Sequence, residues 1–203
     1  MIGVPATLVV GNPRRGSRTM AVACQATDVI RERLARAGVP VAVPEIVDLA
    51  EFGPRLPARL LAGSDEHGLF GPVLDLVRVP GLLVVASPTF KGSYTGLLKL
   101  FMDMLPRDAL AGTVAVPLTT AAWAQHRFVA DTYLRALLVE LGAAVPVPGL
   151  SIIESEFTHV DAAIAAWAGA AVPVLAPVLQ QLSGHGRPLV SSVAHGPAEN
   201  VIG

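Results

Sequence analysis

Short unbroken apolar runs alternate along the chain with longer stretches whose apolar residues recur every three or four positions. The runs predict buried strands and the longer stretches predict helices packed on one side. Strands are expected at Thr7–Gly11, at Val41–Val47, where Pro44 suits an edge position, at Leu82–Ala86, at Thr113–Leu118 and at Val145–Ile153. Helices are expected at Ser17–Ala37, with Ser17 as N-cap and Gly38-Val39-Pro40 as the stop, and at Leu69–Val79, opened by Gly71-Pro72. Three more follow at Tyr94–Leu105, Arg127–Leu141 and Asp161–Leu182, while residues 50–68 read as loop with a short helix.

Strand and helix alternating at this rhythm argue for a parallel sheet covered by helices on both faces. Five strands with an edge-like second one suit an α/β, flavodoxin-like three-layer sandwich, its five-stranded parallel sheet in the order 2-1-3-4-5. Residues 1–182 form a single domain on this reading. Residues 183–203, carrying Gly, Pro, Ser and His, read as a C-terminal tail that is flexible or reaches onto a neighbouring subunit.

Composition narrows the picture. Apolar residues are 52 % of the chain and charged ones 15 %, a balance that favours a homo-oligomer, dimer or tetramer, hiding apolar surface. A formal net charge of −1 gives no electrostatic reason for binding nucleic acid or an anionic membrane. The one cysteine, Cys24, precludes an intrachain disulfide and a cysteine metal cluster, so no metal site is expected; it reads as helix packing and suits a reducing cytoplasm. No secretory leader is evident. Ala162–Leu179 carries no charge, but its Ala-rich content, Gly169, Pro173 and Pro177 point to a helix in a core or interface rather than a membrane.

Ligands of open parallel sheets bind beyond the carboxyl ends of the strands, and three of those ends carry unusual loops: Gly11–Thr19, Ser87–Tyr94 and Thr119–His126. They follow strands 1, 3 and 4, neighbours in the expected order, and so converge on one crevice. The first, GNPRRGSRT, joins a glycine turn to a helix N-terminus and adds the hydroxyls of Ser17 and Thr19 and the charges of Arg14, Arg15 and Arg18, a composition suited to a phosphate. Its Gly11-x4-Gly16 spacing imitates a nucleotide-hydrolysing P-loop, yet Ser17-Arg18 stands where Lys-Ser/Thr is required, which argues against an ATPase. The second, SPTFKGSYTG from Ser87, combines backbone donors with Phe90 and Tyr94, as a flat redox-active ring requires. Ser93 as a helix cap and Tyr94 as packing are the structural alternatives. Met102 and Met104 read as core.

These residues resemble a known family. GNPRRGSRT, SPTFKGSYTGLLKLFMDMLP, and TTAAWAQH with Asp131 five residues past His126 are similar to the NADPH-dependent FMN reductases, the flavodoxin-like type serving two-component monooxygenases. The resemblance spans roughly residues 6–150 and is most specific in its middle motif. It implies an NAD(P)H:FMN oxidoreductase that uses FMN and NADPH, passes hydride from the nicotinamide to flavin N5, and supplies reduced FMN to a partner monooxygenase. No covalent nucleophile and no dedicated catalytic side chain is implied. Ser17, Arg18 and Thr19 would hold the FMN phosphate; Pro88, Thr89, Phe90, Lys91, Gly92 and Ser93 would follow one edge of the ring. Thr119, Thr120, Ala121 and Ala122 would approach the pyrimidine edge with His126 nearby. Arg14 and Arg15 either meet the 2′-phosphate of NADPH or form a solvated basic turn. His126 is a base, a flavin contact or a helix cap.

One departure stands out. The family pattern usually has a Gly-Gly pair in the third loop, where this chain has Ala121-Ala122 followed by Trp123. If either position needs a positive φ, or touches the ring, alanine there retunes flavin affinity or narrows access for the second substrate. Other functions compatible with the residues are a tightly FMN-bound quinone or azo reductase, a flavodoxin-type electron carrier without pyridine-nucleotide activity, and a biosynthetic protein that keeps the fold with altered chemistry.

Overall fold

The computed structural model describes residues 3–53, 55–57, 68 and 70–184. The expected tail from residue 185 onward, and most of the segment from 58 to 69, lie outside the described residues. Five strands, β1 (Ala6–Val10), β2 (Glu45–Asp48), β3 (Leu82–Pro88), β4 (Val114–Ala121) and β5 (Leu150–Ile153), form one parallel sheet in the order β2-β1-β3-β4-β5. The expected topology is the observed one.

Alternation along the strands decides which helices lie where. Leu8 and Val10 of β1, with Leu82, Val84 and Ala86 of β3, face α1 (Arg18–Arg36) and the last helix, α5 (Val160–Gly184). Val9, Leu83 and Val85 face the opposite layer, which holds α2 (Phe70–Val77), α3 (Gly96–Met102) and α4 (Arg135–Glu140). β1 apart from Thr7, β3 as far as Ala86 and the first part of β4 are apolar because both faces are covered.

The charge-free stretch within α5 is long and apolar enough to cross a membrane by length and composition. Here Ile164, Ala168, Leu175 and Leu179 are fully buried, in the layer that also holds Ile30 and Leu34 of α1. Each buried aliphatic side chain of this size contributes about 1.5–3 kcal/mol. Pro173 and Pro177 lie on the exposed side, so the carbonyls they leave unpaired face solvent.

Ser17 caps α1 through Met20 N, and Gly38, at φ +82°, closes it, as expected. Elsewhere the element ends differ from expectation. β3 runs on through Ser87 and Pro88 and β4 through Thr119, Thr120 and Ala121, all buried, so two of the expected loops begin as strand. Polar residues are tolerated there because their hydroxyls find partners: Ser87 Oγ accepts from Thr95 N at 3.0 Å and donates to Pro88 O, and Thr119 Oγ1 bonds Ser151 Oγ at 3.3 Å. β5 is shorter than expected because Pro146 and Pro148 cannot donate to the ladder. Pro44 precedes β2 instead of lying within it. The single helix expected at Arg127–Leu141 is divided: a 3-10 turn Ala124–His126 is followed by a π-helical turn Ala130–Leu134 and then α4.

The helix after β3 starts two residues later than expected, and its cap is Thr95 rather than Ser93. Thr95 Oγ1 accepts from Leu98 N at 3.1 Å and donates to Gly11 O at 2.6 Å, tying α3 to the loop after β1. Gly11 has no room for a side chain, since a Cβ there would stand 2.6 Å from Leu98 Cβ. Thr95→Ala removes a cap and orphans a buried carbonyl. It is expected to cost about 1–3 kcal/mol, read as a lowered midpoint in chemical denaturation, with Thr95→Ser retaining most of the stability.

Candidate functional site

The three loops meet at the carboxyl edge of the sheet. Loop one leaves β1 at Gly11, whose N–H donates to Ala86 O of β3 at 2.7 Å. Asn12 is buried; its Oδ1 accepts from Arg14 N at 2.9 Å and its Nδ2 donates to Thr19 Oγ1 at 3.2 Å. Thr19 Oγ1 in turn shares a hydrogen bond of 2.7 Å with Thr120 Oγ1 at the end of β4. That contact sets the N-terminus of α1 against the third loop. The amides of Arg18 and Thr19 occupy the first two helical positions and have no acceptor within the helix, so they point out of its positive end.

Loop two makes a tight reversal. Phe90 N donates to Ser93 O at 2.8 Å and Ser93 N to Phe90 O at 3.2 Å, with Lys91 at φ +53° and Gly92 at φ +79°. Two consecutive positive φ values define a type I′ turn, which favours Asn-Gly; the Lys91 side chain is held there against its backbone preference. Thr89 N donates to Thr120 O at 2.7 Å, joining this loop to the third.

Between them lies an open cleft of about 550 Å³ lined by Thr89, Phe90, Lys91, Gly92, Ala122, Trp123 and His126. Of the residues singled out in the sequence, the cleft brings together Thr89, Phe90, Lys91, Gly92, Ala122 and His126. Ser17, Arg18 and Thr19 lie at the helix mouth beside it, joined through Thr19 and Thr120. Pro88 and Ala121 are buried at strand ends, and Ser93 closes the turn. Tyr94 is half-buried and packs on the α3 side of the core.

The charges expected to meet a phosphate are arranged less directly. Arg18 is exposed and its Nη1 pairs with Glu154 Oε1 at 2.6 Å, the guanidinium lying over the Phe157 ring at 4.7 Å. The Arg18 guanidinium holds the Glu154 carboxyl below the usual carboxylate range. Arg15 faces Glu51 at 3.9 Å across solvent. Arg127 donates to Ser151 O and to Glu156, whose carboxyl it draws downward; Glu156 also accepts from Ile153 N. This second pair fastens the end of the third loop to the 3-10 turn Glu154–His159 after β5. Cys24 sits half-buried against Met20, its thiol pushed up by burial, in keeping with a packing role.

The sequence pattern did not single out Asn12, Thr95 or Trp123 as site residues. Trp123 lies two residues past the end of β4 and could have been found as an aromatic in a ligand loop. Asn12 bonds within its own loop, to Arg14 and Thr19, and a single asparagine in a turn carries no distinguishing signal; the Thr95 bond to Gly11 spans 84 positions. The alanine pair also behaves otherwise than one branch of the expectation: neither Ala121 nor Ala122 has a positive φ, because β4 continues through Ala121.

A flavin-sized ring with a phosphate fits this donor set. Thr89 Oγ1 is buried in the cleft wall without a hydrogen-bond partner among the described residues, and a Cβ on Gly92 would meet nothing within 4 Å. A free hydroxyl and open backbone lie beside a helix mouth with unpaired amides. Among the described residues no group of three or more potential metal ligands occurs.

A family model described as NADPH-dependent FMN reductase matches residues 6–158. An FMN reductase (NADPH) of Escherichia coli is 32% identical over 148 residues, 73% of this chain and 72% of that protein. One of Pseudomonas aeruginosa is 32% identical over 114 residues; the match spans 56% of this chain and 61% of that protein's length. The solved apo form of an NADH:FMN oxidoreductase superposes with a TM-score of 0.66 at 28% identity, covering 82% of this chain and 89% of the other.

Glycine should act oppositely at the two loops. Lys91→Gly is expected to raise stability by up to about 1 kcal/mol by relieving the left-handed backbone. Replacing Ala121 and Ala122 together by glycine, where no strain exists, is expected to lower it by about 1 kcal/mol. Thermal denaturation of both variants checks the pair.

Proposed function

The chain belongs to the NADPH-dependent FMN reductase family, and we propose that it is an NAD(P)H-dependent FMN reductase whose flavin lies in the cleft between the second and third loops. The observation that carries this reading is the Thr19–Thr120 hydrogen bond, which sets a helix mouth suited to phosphate beside a cleft suited to a ring. Bound FMN would supply a ring able to accept hydride from a reduced nicotinamide.

The protein's part is positional. The amides of Arg18 and Thr19, with the Ser17 hydroxyl close by, receive the phosphate at the positive end of α1. The Thr89–Gly92 backbone follows the ring edge, its turn held rigid by two hydrogen bonds. Thr89 Oγ1 offers a hydroxyl that no other described group uses. Phe90 and Trp123 present exposed aromatic surface on the cleft, against which a nicotinamide can be held and water excluded. His126 lines the same cleft as a contact; hydride transfer asks no proton of it.

Reduced FMN then passes to a monooxygenase in this proposal, since the cleft is open and an open site lets flavin exchange. Self-association into a dimer or tetramer in the cytoplasm is part of the same reading, supported by the low charge and by exposed Phe128, Tyr133, Val139 and Val174 outside the cleft lining. Light scattering that returns a monomer would remove that part.

The test is NADPH absorbance followed in air with and without added FMN. Fast oxidation that requires added FMN is the expected result. Flavin binding without NADPH or NADH oxidation would instead leave an electron carrier.

A further inference from the structure

Arg18 stands at the helix mouth by its backbone and away from it by its charge. Its amide is the first of α1, at the place where an anion is received. Its guanidinium extends to the 3-10 turn after β5, bonding Glu154 Oε1 at 2.6 Å and stacking on Phe157 at 4.7 Å. Thr19, the next residue, is anchored to the end of β4, the strand beside β5, so the pair spans two adjacent strand ends at the rim of the phosphate region.

On the flavin reading above, we propose that Glu154 is an affinity-setting residue: with Phe157 it withholds Arg18 from the flavin phosphate, so that FMN must compete with a carboxylate for this guanidinium and is held loosely enough to exchange as a substrate. Arg18 meets Glu154 through Nη1 alone, which leaves other N–H groups for a phosphate, but a guanidinium already paired with a carboxylate attracts a second anion less and is held on the side of the turn after β5. If Arg18 swings to the phosphate, Glu154 is left as an uncompensated negative charge near another. If it stays, the phosphate has only the helix amides, the loop hydroxyls and the other loop arginines. Either way the carboxylate weakens phosphate binding. Arg18 and Glu154 are both substantially exposed, so the effect is modest. The mutual attraction lowers the Glu154 carboxyl, a group ionised at neutral pH in any case.

A carboxylate that merely stapled α1 to the turn after β5 would not distinguish flavins with and without a phosphate. The experiment therefore titrates FMN and riboflavin against the full chain and against Glu154→Gln at low ionic strength, reading quenching of flavin fluorescence. The expected result is an FMN Kd about two- to fivefold lower in Glu154→Gln, with the riboflavin Kd unchanged. In an Arg18→Ala background the same substitution should give a smaller gain in FMN affinity, because only the repulsion between carboxylate and phosphate is left to relieve. Unchanged FMN affinity, or an equal shift for both flavins, overturns the proposal while leaving the flavin site standing. Wild-type protein that binds neither flavin overturns both.

Discussion

A buried hydroxyl without a partner is costly, and at the carboxyl edge of this sheet that cost joins segments far apart in sequence. Ser87, Thr95, Thr19 and Thr120 are all buried. Ser87 receives the Thr95 amide, Thr95 holds the carbonyl of Gly11, and Thr19 meets Thr120. Each bond contributes only about 0.5–1.5 kcal/mol net, but losing one partner strands the other in a dry setting at greater cost. The loops after β1, β3 and β4 are thereby placed relative to one another, and the cleft keeps its shape because their bases cannot drift.

Outside this hydroxyl layer the charges are spent on position. Arg127 fastens the third loop to the turn after β5 through Ser151 and Glu156, and Arg135, further along the chain, does similar work through Asp131 and the carbonyl of Val147. Asp131 also receives the Gly149 amide, in a stretch where prolines leave few donors. Gly149 itself is pressed against Ala130 and the Pro117 carbonyl, which a Cβ would overlap. The rim beside β5 is thus rigid at its base while the cleft it borders stays open, an arrangement suited to a ligand that enters and leaves.

The legible part of the site is the part written in local chemistry. A glycine turn before a capped helix is visible as GNPRRGSRT because cap, turn and helix lie within a few residues. The Lys91-Gly92 reversal sits inside a stretch whose glycine and aromatics mark a ligand loop. The strand ends were less legible: Ser87, Thr119 and Thr120 look like loop residues until their partners are known, and those partners are eight to more than a hundred residues away. The division of the helix near Ala130 has no sequence signal of its own.

The topology was readable from residue order, since alternating strand and helix patterns with both faces apolar admit few packings and the edge-like second strand selects among them. So were the loops that carry phosphate- and ring-suited residues, because those are matters of residue type and short spacing. Where the charges went depended on the packed fold. Arg18 reads as a phosphate ligand from its neighbours in the chain, yet its guanidinium lies on Glu154 and Phe157, 136 positions onward in the case of the glutamate. A long, flexible cation takes the best anion within its reach in space, and that reach is fixed by packing, not by order along the chain.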